Sequence, residues 1–498
     1  MPTLIYNGVD AYWDELPFTG KQSVWKPGQR EERSATESAQ LMASGLFSLD
    51  TIPARFSTDS AGNVTGLVDP VSGKDAGFPI AKANPITGRL AISQSDFYQC
   101  PAVAIMGDSI NQQSTNATGG TNTVDRGIVP WMLAYLGQPW SFEPSDNFAV
   151  AGTTLDVMIT GQLPTLIAAA TTRQYKRVFI SGGTNDTSAG RSIAAIKQDY
   201  LTIFNACWSI GAIPVMWGIL PRGNDVAITN AKRQNQQINE WLFLMSQAGA
   251  LEYIDIGEAV ADNSTAFGNI IASFSYDAVL HPNTKGCNLL GRALADYYIA
   301  RGVKPGMKFA TQQGDQFDRT NNPAGVAFAA ANPLLQGGTT APTGMTTLGG
   351  TWSKVARALS NGQSRSDCSC VLAASTTHYL YDDWTTTGAW GATQLQPGDI
   401  IEARALVEIN SGVGINNVNI QLAENNGSGN TQNYGLGAID AGIVDNVSHV
   451  LYLKTPRIAV RDYAGFGNCS IFVRANIITG AGASGTAVVK ALEVRKVG

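Results

Sequence analysis

The sequence predicts an α/β domain built on a parallel sheet, with a small unit before it and a β-sandwich or jelly roll after it. Between residue 101 and about residue 305, short apolar runs alternate with helical stretches, as they do in βαβ units. From about residue 325 onward charge is sparse, turn residues are frequent and apolar residues alternate with polar ones. The length of 498 residues exceeds what one core normally holds, so several domains are expected.

The first hundred residues divide into two stretches. Residues 1–50 are expected to form a small unit, in which Ser34 and Glu37 form a capping box that opens a short helix. Residues 51–100 contain many turn signals and no sustained periodicity. We expect an extended linker or short hairpins there.

The α/β domain is assigned to residues 101–305, and its elements follow from apolar runs and helical periodicity. Strands are predicted at Ala102–Met106, Phe148–Val150, Arg177–Ser181, Ile213–Leu220 and Leu251–Ile256, and helices at roughly Val226–Gln247 and at Thr284–Ala300. Both helices end near a glycine, as helices often do.

Residues 306–330 are interpreted as a linker and residues 331–498 as the β-sandwich domain. Apolar residues from Ile401 to Ile409 alternate with Glu402, Arg404 and Glu408, which predicts a half-buried strand. Further strands are expected at Ser470–Ile478 and Thr486–Val497. Short strands separated by turn signals are typical of a sandwich or jelly roll.

Composition and charge exclude several function classes. With 44% apolar residues, 15% charged residues and a net charge of −5, the chain has no basic footprint, so no nucleic-acid partner is expected. No run approaches 18 apolar residues, so membrane insertion is not expected either. The segment from Met1 to Phe18 lacks the pattern of a signal peptide. The six cysteines are scattered, which favours free thiols in a reducing compartment.

Only one of the three histidines lies in the α/β region. His281 stands just before a predicted helix, whereas His378 and His449 fall in the β-rich region. Serine hydrolases normally need a histidine as general base. Because sites in open α/β sheets gather at the carboxyl ends of strands, His281 is the candidate base.

Three further polar segments follow predicted strands. Gly107-Asp108-Ser109 follows the first strand, Ala151-Gly152 the second and Gly182-Gly183-Thr184-Asn185-Asp186 the third. A serine in such a turn can present its hydroxyl above the sheet, while a glycine N–H and an asparagine side chain can donate to a developing oxyanion. Asp186 is interpreted as structural. In isolation each segment would be an ordinary turn or helix cap.

The order of these segments resembles the blocks of the SGNH hydrolases, also called GDSL esterases and lipases. The resemblance covers about 200 residues of the chain and implies a flavodoxin-like three-layer α/β/α domain. It further implies that Ser109 is the nucleophile, that His281 is its base, and that the Ser109 amide, the Gly152 amide and the Asn185 side chain form the oxyanion hole. The G-x-S-x-G elbow of the other large serine-hydrolase class is absent from the sequence. The reaction implied is acyl transfer from an ester, with no metal and no other cofactor.

The acid of the triad departs from the family pattern. The family places it three residues before the histidine, where this chain has Ala278, and Asp277 stands four residues before. A loop with one extra residue can still direct Asp277 at His281, so Asp277 is predicted as the third catalytic residue. A backbone carbonyl that orients the ring, or a Ser–His dyad, are the alternatives.

The N-terminal region resembles the short leaders of tailed-bacteriophage tail proteins. The likeness rests on Leu16–Lys21, Ser23–Gly28 and Ala39–Phe47. It implies a tail spike or tail fibre, made in the host cytoplasm and assembled into the virion with tail or baseplate proteins, and typically a homotrimer. The substrate implied is O-acetylated capsule or O-antigen polysaccharide, from which the enzyme would remove acetyl groups.

Two other functions stay open at this point. One is a receptor-binding adhesin on a hydrolase fold that has lost activity; the other is a cellular acetyl-xylan or lipid esterase with a carbohydrate-binding module. Cys368 and Cys370, with His378 nearby, are interpreted as incidental rather than as a zinc site, because the spacing lacks the usual pairs. The aromatic residues Tyr379, Tyr381, Trp384 and Trp390 fit a sugar-stacking surface and a sandwich core about equally well.

Overall fold

The computed structural model describes residues 101–118, 121–124, 126–223, 229–265, 268–315, 317, 322, 326–327, 332–386, 395–425, 430–436, 442–461 and 469–497, and the backbone of nine short strands before residue 100. The nine strands are β1 Thr3–Tyr6, β2 Tyr12–Asp14, β3 Ser23–Trp25, β4 Arg30–Glu32, β5 Phe47–Leu49, β6 Phe56–Thr58, β7 Val64–Leu67, β8 Lys82–Ala83 and β9 Leu90–Ala91. Strand β1 pairs with β4 and β5, and the others form two-stranded hairpins, two of them within 51–100. The helix predicted after Ser34 lies outside the described residues.

The chain divides into two compact units, residues 1–101 with 240–252 and residues 102–239 with 253–498. Between residues 101 and 305 the α-helices and strands are β10 Ala102–Met106, α1 Ser109–Gln112, β11 Thr115–Thr118, β12 Thr121–Val124, α2 Ile128–Leu136, α3 Leu155–Val157, α4 Leu163–Ala170, β13 Tyr175–Ile180, α5 Thr184–Ser188, α6 Ile193–Ser209, β14 Ile213–Met216, α7 Thr229–Gln247, β15 Glu252–Tyr253, β16 Ala261–Asp262, β17 Asn269–Ile270 and α8 Thr284–Ala300. Among the helices that the structure describes, none has the length and apolarity that crossing a membrane would require.

A parallel sheet forms the centre of the α/β domain. Its strand order is β10-β13-β14-β15, and β13 pairs in parallel with both β10 and β14. All five residues of β10 are buried, as expected for a strand covered on both faces. The predicted strand Phe148–Val150 is wrong: the structure has an isolated bridge between Ile105 and Asn147 there, followed by hydrogen bonds from the Phe148 and Val150 N–H groups to the carbonyls of Ile105 and Gly107. The predicted strands Ile213–Leu220 and Leu251–Ile256 are shorter in the structure.

Helices cover both faces of this sheet. Val103 and Ile105 of β10 share one core with Trp131 of α2 and Leu290 of α8. The alternate residues of β10 are equally buried and point to the opposite face. On that face the Tyr200 hydroxyl of α6 donates to the carbonyl of Gly182, at the end of β13. The predicted three-layer α/β/α arrangement is confirmed.

The C-terminal region is antiparallel and β-rich, as predicted. Its strands are β18 Val326–Ala327, β19 Thr346–Leu348, β20 Thr351–Ala358, β21 Ser364–Val371, β22 Thr377–Thr386, β23 Ile400–Asn425, β24 Asn430–Gly435, β25 His449–Lys454, β26 Ile458–Ala459 and β27 Cys469–Lys496. The long strands β23 and β27 pair along most of their length, with register shifts between Leu406 and Asn417. The predicted strands at 470–478 and 486–497 are therefore two parts of β27.

The predicted alternation from Ile401 to Ile409 is present, but the polar side chains of this segment are not all exposed to solvent. The alternating residues Ile401, Ala403, Ala405, Val407 and Ile409 are fully buried. Glu402 is also buried, and Arg404 and Arg457 lie within ion-pair distance of its carboxylate, at 2.6 and 3.4 Å. Lys454 lies 3.3 Å from Glu143, a residue of the α/β domain. Buried carboxylates need such partners, so this cluster joins the β-rich region to the α/β domain.

The boundary predicted between the two domains stays a prediction, because the two parts share secondary structure. The hairpin of β11 and β12 lies within 101–305, yet β12 pairs in parallel with β24 of the C-terminal sheet. The Tyr135 hydroxyl of α2 lies 2.5 Å from Nδ1 of His449, and Lys285 of α8 lies 3.0 Å from Asp445. The β-rich region thus packs against the same two helices that cover one face of the parallel sheet.

Candidate active site

Ser109 is the first residue of α1, two residues after Gly107, which follows the last residue of β10. Asp108 caps this helix, because its Oδ1 accepts a hydrogen bond from the Ile110 N–H at 3.0 Å. The Ser181 hydroxyl, at the end of β13, donates to the same oxygen at 3.0 Å. Burial raises the pKa of Asp108, although these hydrogen bonds oppose the shift. Asp108 therefore has a structural role: it fixes the turn that presents Ser109.

Gly107 is required for this turn by close packing. A Cβ at position 107 would lie 2.5 Å from the Ser181 carbonyl oxygen, a backbone atom that cannot move aside without displacing β13. We expect Gly107→Ala to lower the free energy of unfolding by about 2–4 kcal/mol, since it combines overpacking with an unfavourable backbone conformation. Urea denaturation measures this value. Gly161→Ala is the matched control, because no atom beyond the backbone of its own helical turn lies within 4 Å of the added Cβ. Equal stability of the two variants would contradict the packing role of Gly107.

A hydrogen-bonded relay joins Ser109, His281 and Asp277. The Ser109 Oγ lies 2.8 Å from His281 Nε2, and His281 Nδ1 lies 2.5 Å from Asp277 Oδ2. With the proton on Nδ1 directed at the carboxylate, Nε2 is free to accept the serine proton. The structure thus brings together, from positions 172 residues apart, the arrangement that activates a serine for nucleophilic attack.

The extra residue between Asp277 and His281 is accommodated by the backbone. Ala278 has φ = +56°, a left-handed conformation that tightens the loop, and the Tyr276 N–H donates to the His281 carbonyl at 3.1 Å. Asp277 Oδ1 accepts hydrogen bonds from the Ser275 hydroxyl and from the N–H groups of residues 279, 280 and 281 at 2.7–3.1 Å. Partial burial opposes ionisation of Asp277. The hydrogen bonds from the Leu280 N–H and the His281 ring outweigh it and hold the pKa well below its usual range.

The ionised Asp277 carboxylate should stabilise the folded chain in a defined pH range. A depressed pKa adds stability that is fully present above the ordinary aspartate pKa of about 3.9 and is lost as the pH falls toward the lower folded-state pKa. We expect Asp277→Asn to be less stable than wild type above pH 4, with a difference that shrinks as the pH is lowered. Urea denaturation across this range measures it. A difference that grows in acid would show that the folded state does not favour the carboxylate.

The segments of the other two predicted oxyanion donors are hydrogen-bonded to the nucleophile turn or to each other. Gly152 is exposed, has φ = +75° and follows the segment in which the Val150 N–H donates to the Gly107 carbonyl at 3.0 Å. Asn185, in α5, donates from Nδ2 to the Thr153 carbonyl at 3.0 Å. Among the described residues, no partner is present for the N–H groups of Ser109 and Gly152. These N–H groups can therefore donate to a substrate.

The contacts of Asp186, next to Asn185, are structural, in agreement with the interpretation from the sequence. Its buried carboxylate accepts from the Leu155 N–H at 3.1 Å, where α3 begins, and pairs with Arg191. Burial raises the pKa of Asp186, and the Arg191 hydrogen bond opposes the rise. In the described part of the chain, carboxylate oxygens of Asp156, Asp186 and Asp199 come within 4.8 Å of one another, but Arg191 contacts all three. The guanidinium already supplies the cation for this cluster.

The remaining histidines are hydrogen-bonded to residues outside the relay. Nδ1 of His449 lies 2.5 Å from the Tyr135 hydroxyl. His378 is buried, with Nδ1 3.6 Å from Cys370 Sγ and Nε2 3.1 Å from the Ala373 carbonyl oxygen. Cys207, Cys287, Cys368 and Cys370 are buried free thiols. Cys370 and His378 are thus neighbours, as their spacing allowed, but within the described ranges no third metal-ligating side chain joins them.

Two residues near the site were not singled out from the sequence. Tyr276 is 53% exposed and stacks on the His281 ring, with centroids 5.1 Å apart and ring planes 16° apart. Its position beside Asp277 was the available signal. Gln162 is buried and hydrogen-bonds to Gly107 with both ends of its amide. No local pattern marks a glutamine as a partner of a residue 55 positions earlier.

The fold and this geometry define a serine-hydrolase type of site on an α/β sheet. Residues 105–289 match the model of the GDSL-like Lipase/Acylhydrolase family, and this stretch contains Ser109, Gly152, Asn185, Asp277 and His281. The chain therefore contains a GDSL/SGNH hydrolase domain, the domain of a class of carboxylic ester hydrolases. A search of curated proteins found no match.

Solved structures that match part of this chain include three that are 12–15% identical to it. A protein of Desulfitobacterium hafniense described as a lipolytic protein of the G-D-S-L family is 14% identical, with a TM-score of 0.31, over 39% of this chain and 98% of that one. A GDSL-like lipase from Bacteroides thetaiotaomicron is 12% identical, with a TM-score of 0.30, over 41% and 89%. The aryl esterase of M. smegmatis is 15% identical, with a TM-score of 0.30, over 41% and 99%.

Proposed function

We propose that this chain is a carbohydrate O-acetyl esterase of a bacteriophage tail spike, which removes acetyl groups from host capsule or O-antigen polysaccharide. The observation that carries the proposal is the Ser109–His281–Asp277 relay at an accessible position: the side chains of His281 and Asp277 remain 22% and 30% exposed. A polymer can reach a site of this kind without being threaded into a cavity.

The proposed reaction uses this chain's own groups throughout. Ser109 Oγ attacks the acetyl carbonyl while His281 Nε2 takes its proton, and Asp277 stabilises the imidazolium that forms. The N–H groups of Ser109 and Gly152 and the Asn185 amide hold the oxyanion. The sugar hydroxyl leaves with the proton from His281, and acetyl-Ser109 remains. Water, deprotonated by His281, then releases acetate and restores Ser109.

The surroundings of the relay support a sugar as the leaving alcohol. Tyr276 is exposed beside His281, and the Arg126 guanidinium lies 5.4 Å from the centre of the Tyr276 ring. Exposed tyrosines offer both an apolar ring and a hydroxyl to a carbohydrate, and arginine suits an acidic one.

The β-rich region supports attachment to the polymer. Tyr379 and Tyr381 lie on the same face of β22, and Arg474 of β27 lies 5.0 and 4.7 Å from their ring centres. The side chain of Trp384 and all of Trp390 lie outside the described residues. Trimerisation, contact with tail or baseplate proteins and location in the virion rest on the likeness of the N-terminal region to phage tail proteins and are part of the proposal.

Acetate release tests the substrate class. Purified chain is incubated with O-acetylated bacterial surface polysaccharides, and free acetate is followed by NMR, with Ser109→Ala as the control. Release by wild type alone is the expected result. Cleavage of small acetate esters without release from any polysaccharide would reject the glycan substrate but keep the esterase. Inertness toward both, with retained binding to polysaccharide, would favour an adhesin.

A further inference from the structure

Gln162 holds the peptide that precedes the nucleophile turn. Gln162 as a whole residue is 5% exposed. Its Oε1 accepts from the Gly107 N–H at 2.9 Å, and its Nε2 donates to the Gly107 carbonyl at 2.8 Å. A buried amide that bonds both polar groups of one residue fixes that residue in place and in orientation. Ser109 lies two residues further on, so its N–H and hydroxyl are positioned from this contact.

The same amide reaches the segment of the second oxyanion donor. Gln162 Nε2 lies 3.1 Å from the hydroxyl of Thr153, the residue after Gly152. That hydroxyl lies 2.8 Å from the Val150 carbonyl oxygen and 3.2 Å from the Gly107 carbonyl oxygen. The Thr153 hydroxyl is thus within hydrogen-bond distance of Val150, on the other side of Gly152, and of Gly107, the residue after β10.

Thr153 also connects to the third donor. Its carbonyl accepts from Asn185 Nδ2 at 3.0 Å, which leaves the second N–H of that amide for a substrate. Ser109, Gly152 and Asn185 belong to three separate segments of the chain. Hydrogen bonds of Gln162 and Thr153 reach all three segments, at Gly107, at Val150 and at Asn185.

The helix that carries Gln162 has an unusual local form. Residues Met158–Gln162 make a π-helical turn between α3 and α4. A π turn contains one extra residue, so each side chain after it is rotated by about 100° from its α-helical direction. The start of α3 is fixed by the Asp186 carboxylate on the Leu155 N–H, at 3.1 Å. The π turn therefore determines which side chain reaches Gly107, and such turns are frequent at functional sites.

We propose that Gln162 is a positioning residue that holds the three oxyanion donors in register for the esterase reaction, an inference that rests on the proposed function. It touches neither substrate nor the reacting atoms. Its loss should leave substrate binding intact and weaken the interactions that form only with the tetrahedral oxyanion. The expected signature is a lower kcat with an unchanged KM.

The test compares Gln162→Met, which keeps the volume but removes both hydrogen bonds, with wild type on p-nitrophenyl acetate. We expect kcat to fall about 10- to 100-fold at unchanged KM, somewhat less than removal of a donor itself costs. The inhibition constant of phenylboronic acid, which forms a tetrahedral adduct on a serine oxygen, should rise by the same factor. Gln421→Met is the matched control, because Gln421 is a buried glutamine of β23 that bonds to Tyr434.

Rates are normalised by active-site titration, so that a smaller folded fraction is not counted as slower chemistry. Gln162→Glu is the second variant: it keeps an acceptor for the Gly107 N–H but loses the amide donor, and the same signature is expected. Unchanged kcat and boronic acid affinity in both variants would overturn the inference, as would a raised KM with unchanged kcat. Failure of the esterase activity looks different, because wild type itself would neither hydrolyse the ester nor bind the boronic acid. Rejection of the glycan substrate alone would leave this test unaffected, since it uses p-nitrophenyl acetate.

Discussion

Replacement of Ser109 by alanine is expected to lower kcat/KM for p-nitrophenyl acetate by roughly 10⁴-fold or more. The substitution removes the Ser109 Oγ, which lies 2.8 Å from His281 Nε2. Without this oxygen no acyl-enzyme can form. Any remaining hydrolysis would come from direct attack of water on an ester whose carbonyl oxygen is held in the oxyanion hole. Initial rates at several substrate concentrations measure the loss.

Ser209→Ala is the control for this substitution. Ser209 is exposed at the end of α6, and its hydroxyl donates to the Ala206 carbonyl at 2.7 Å, so its loss should leave turnover unchanged. Binding of Ser109→Ala to polysaccharide should also persist, since the hydroxyl is used in the chemical steps. Equal turnover by wild type and Ser109→Ala would mean that another group is the nucleophile.

Replacement of His281 by alanine should cost about as much as loss of Ser109, whereas the loss of kcat/KM in Asp277→Asn should be about 10- to 100-fold smaller. Asparagine keeps a side-chain oxygen that can accept from the Leu280 N–H, so the loop is largely held. The substitution removes the negative charge of the carboxylate, whose Oδ2 lies 2.5 Å from His281 Nδ1. The values of kcat/KM for the two variants give the comparison.

Asp262→Asn provides the matched control, because Asp262 also accepts from a backbone N–H in an exposed turn, that of Ser264 at 3.0 Å. Its turnover should equal that of wild type. If Asp277→Asn loses as much as His281→Ala, the charge of Asp277 is indispensable and the smaller role assigned to it is wrong. The double variant Ser109→Ala/His281→Ala should be no slower than either single one, since the two residues act as a unit.

Some elements could be predicted from the sequence because local chemistry determines them. Strand β10 coincides with an apolar run that ends at Gly107, and α8 begins at Thr284 because the Asn283 side chain accepts from the Gly286 N–H at 2.9 Å. The segment Phe148–Val150 has the same apolar character as a strand. It runs beside β10 without forming a ladder, and a pattern of side chains does not distinguish the two cases.

Of the candidate site, the members of the hydrogen-bonded relay could be predicted from the sequence, but the residues that hold them in place could not. Ser109, His281 and Asp277 each stand next to a recognisable turn or helix start. The conformation that offsets the extra residue, φ = +56° at Ala278, has no sequence signal, because alanine rarely adopts it. Gln162 at Gly107 and the pairing of β12 with β24 join distant parts of the chain, and periodicity contains no information about such partners. Glu402, predicted on a polar face, is buried for a related reason: besides Arg404 of its own strand, it pairs with Lys454 of β25 and with Arg457, which are distant in sequence.

Labelling with diisopropyl fluorophosphate tests most directly that Ser109 is a nucleophile activated by His281. The reagent transfers its phosphoryl group to an activated serine oxygen and releases fluoride. Intact mass and peptide mapping of the full chain should show one label, on Ser109, and much slower labelling of His281→Ala. A label on another residue with Ser109 unmodified, or no label at all, would contradict the account.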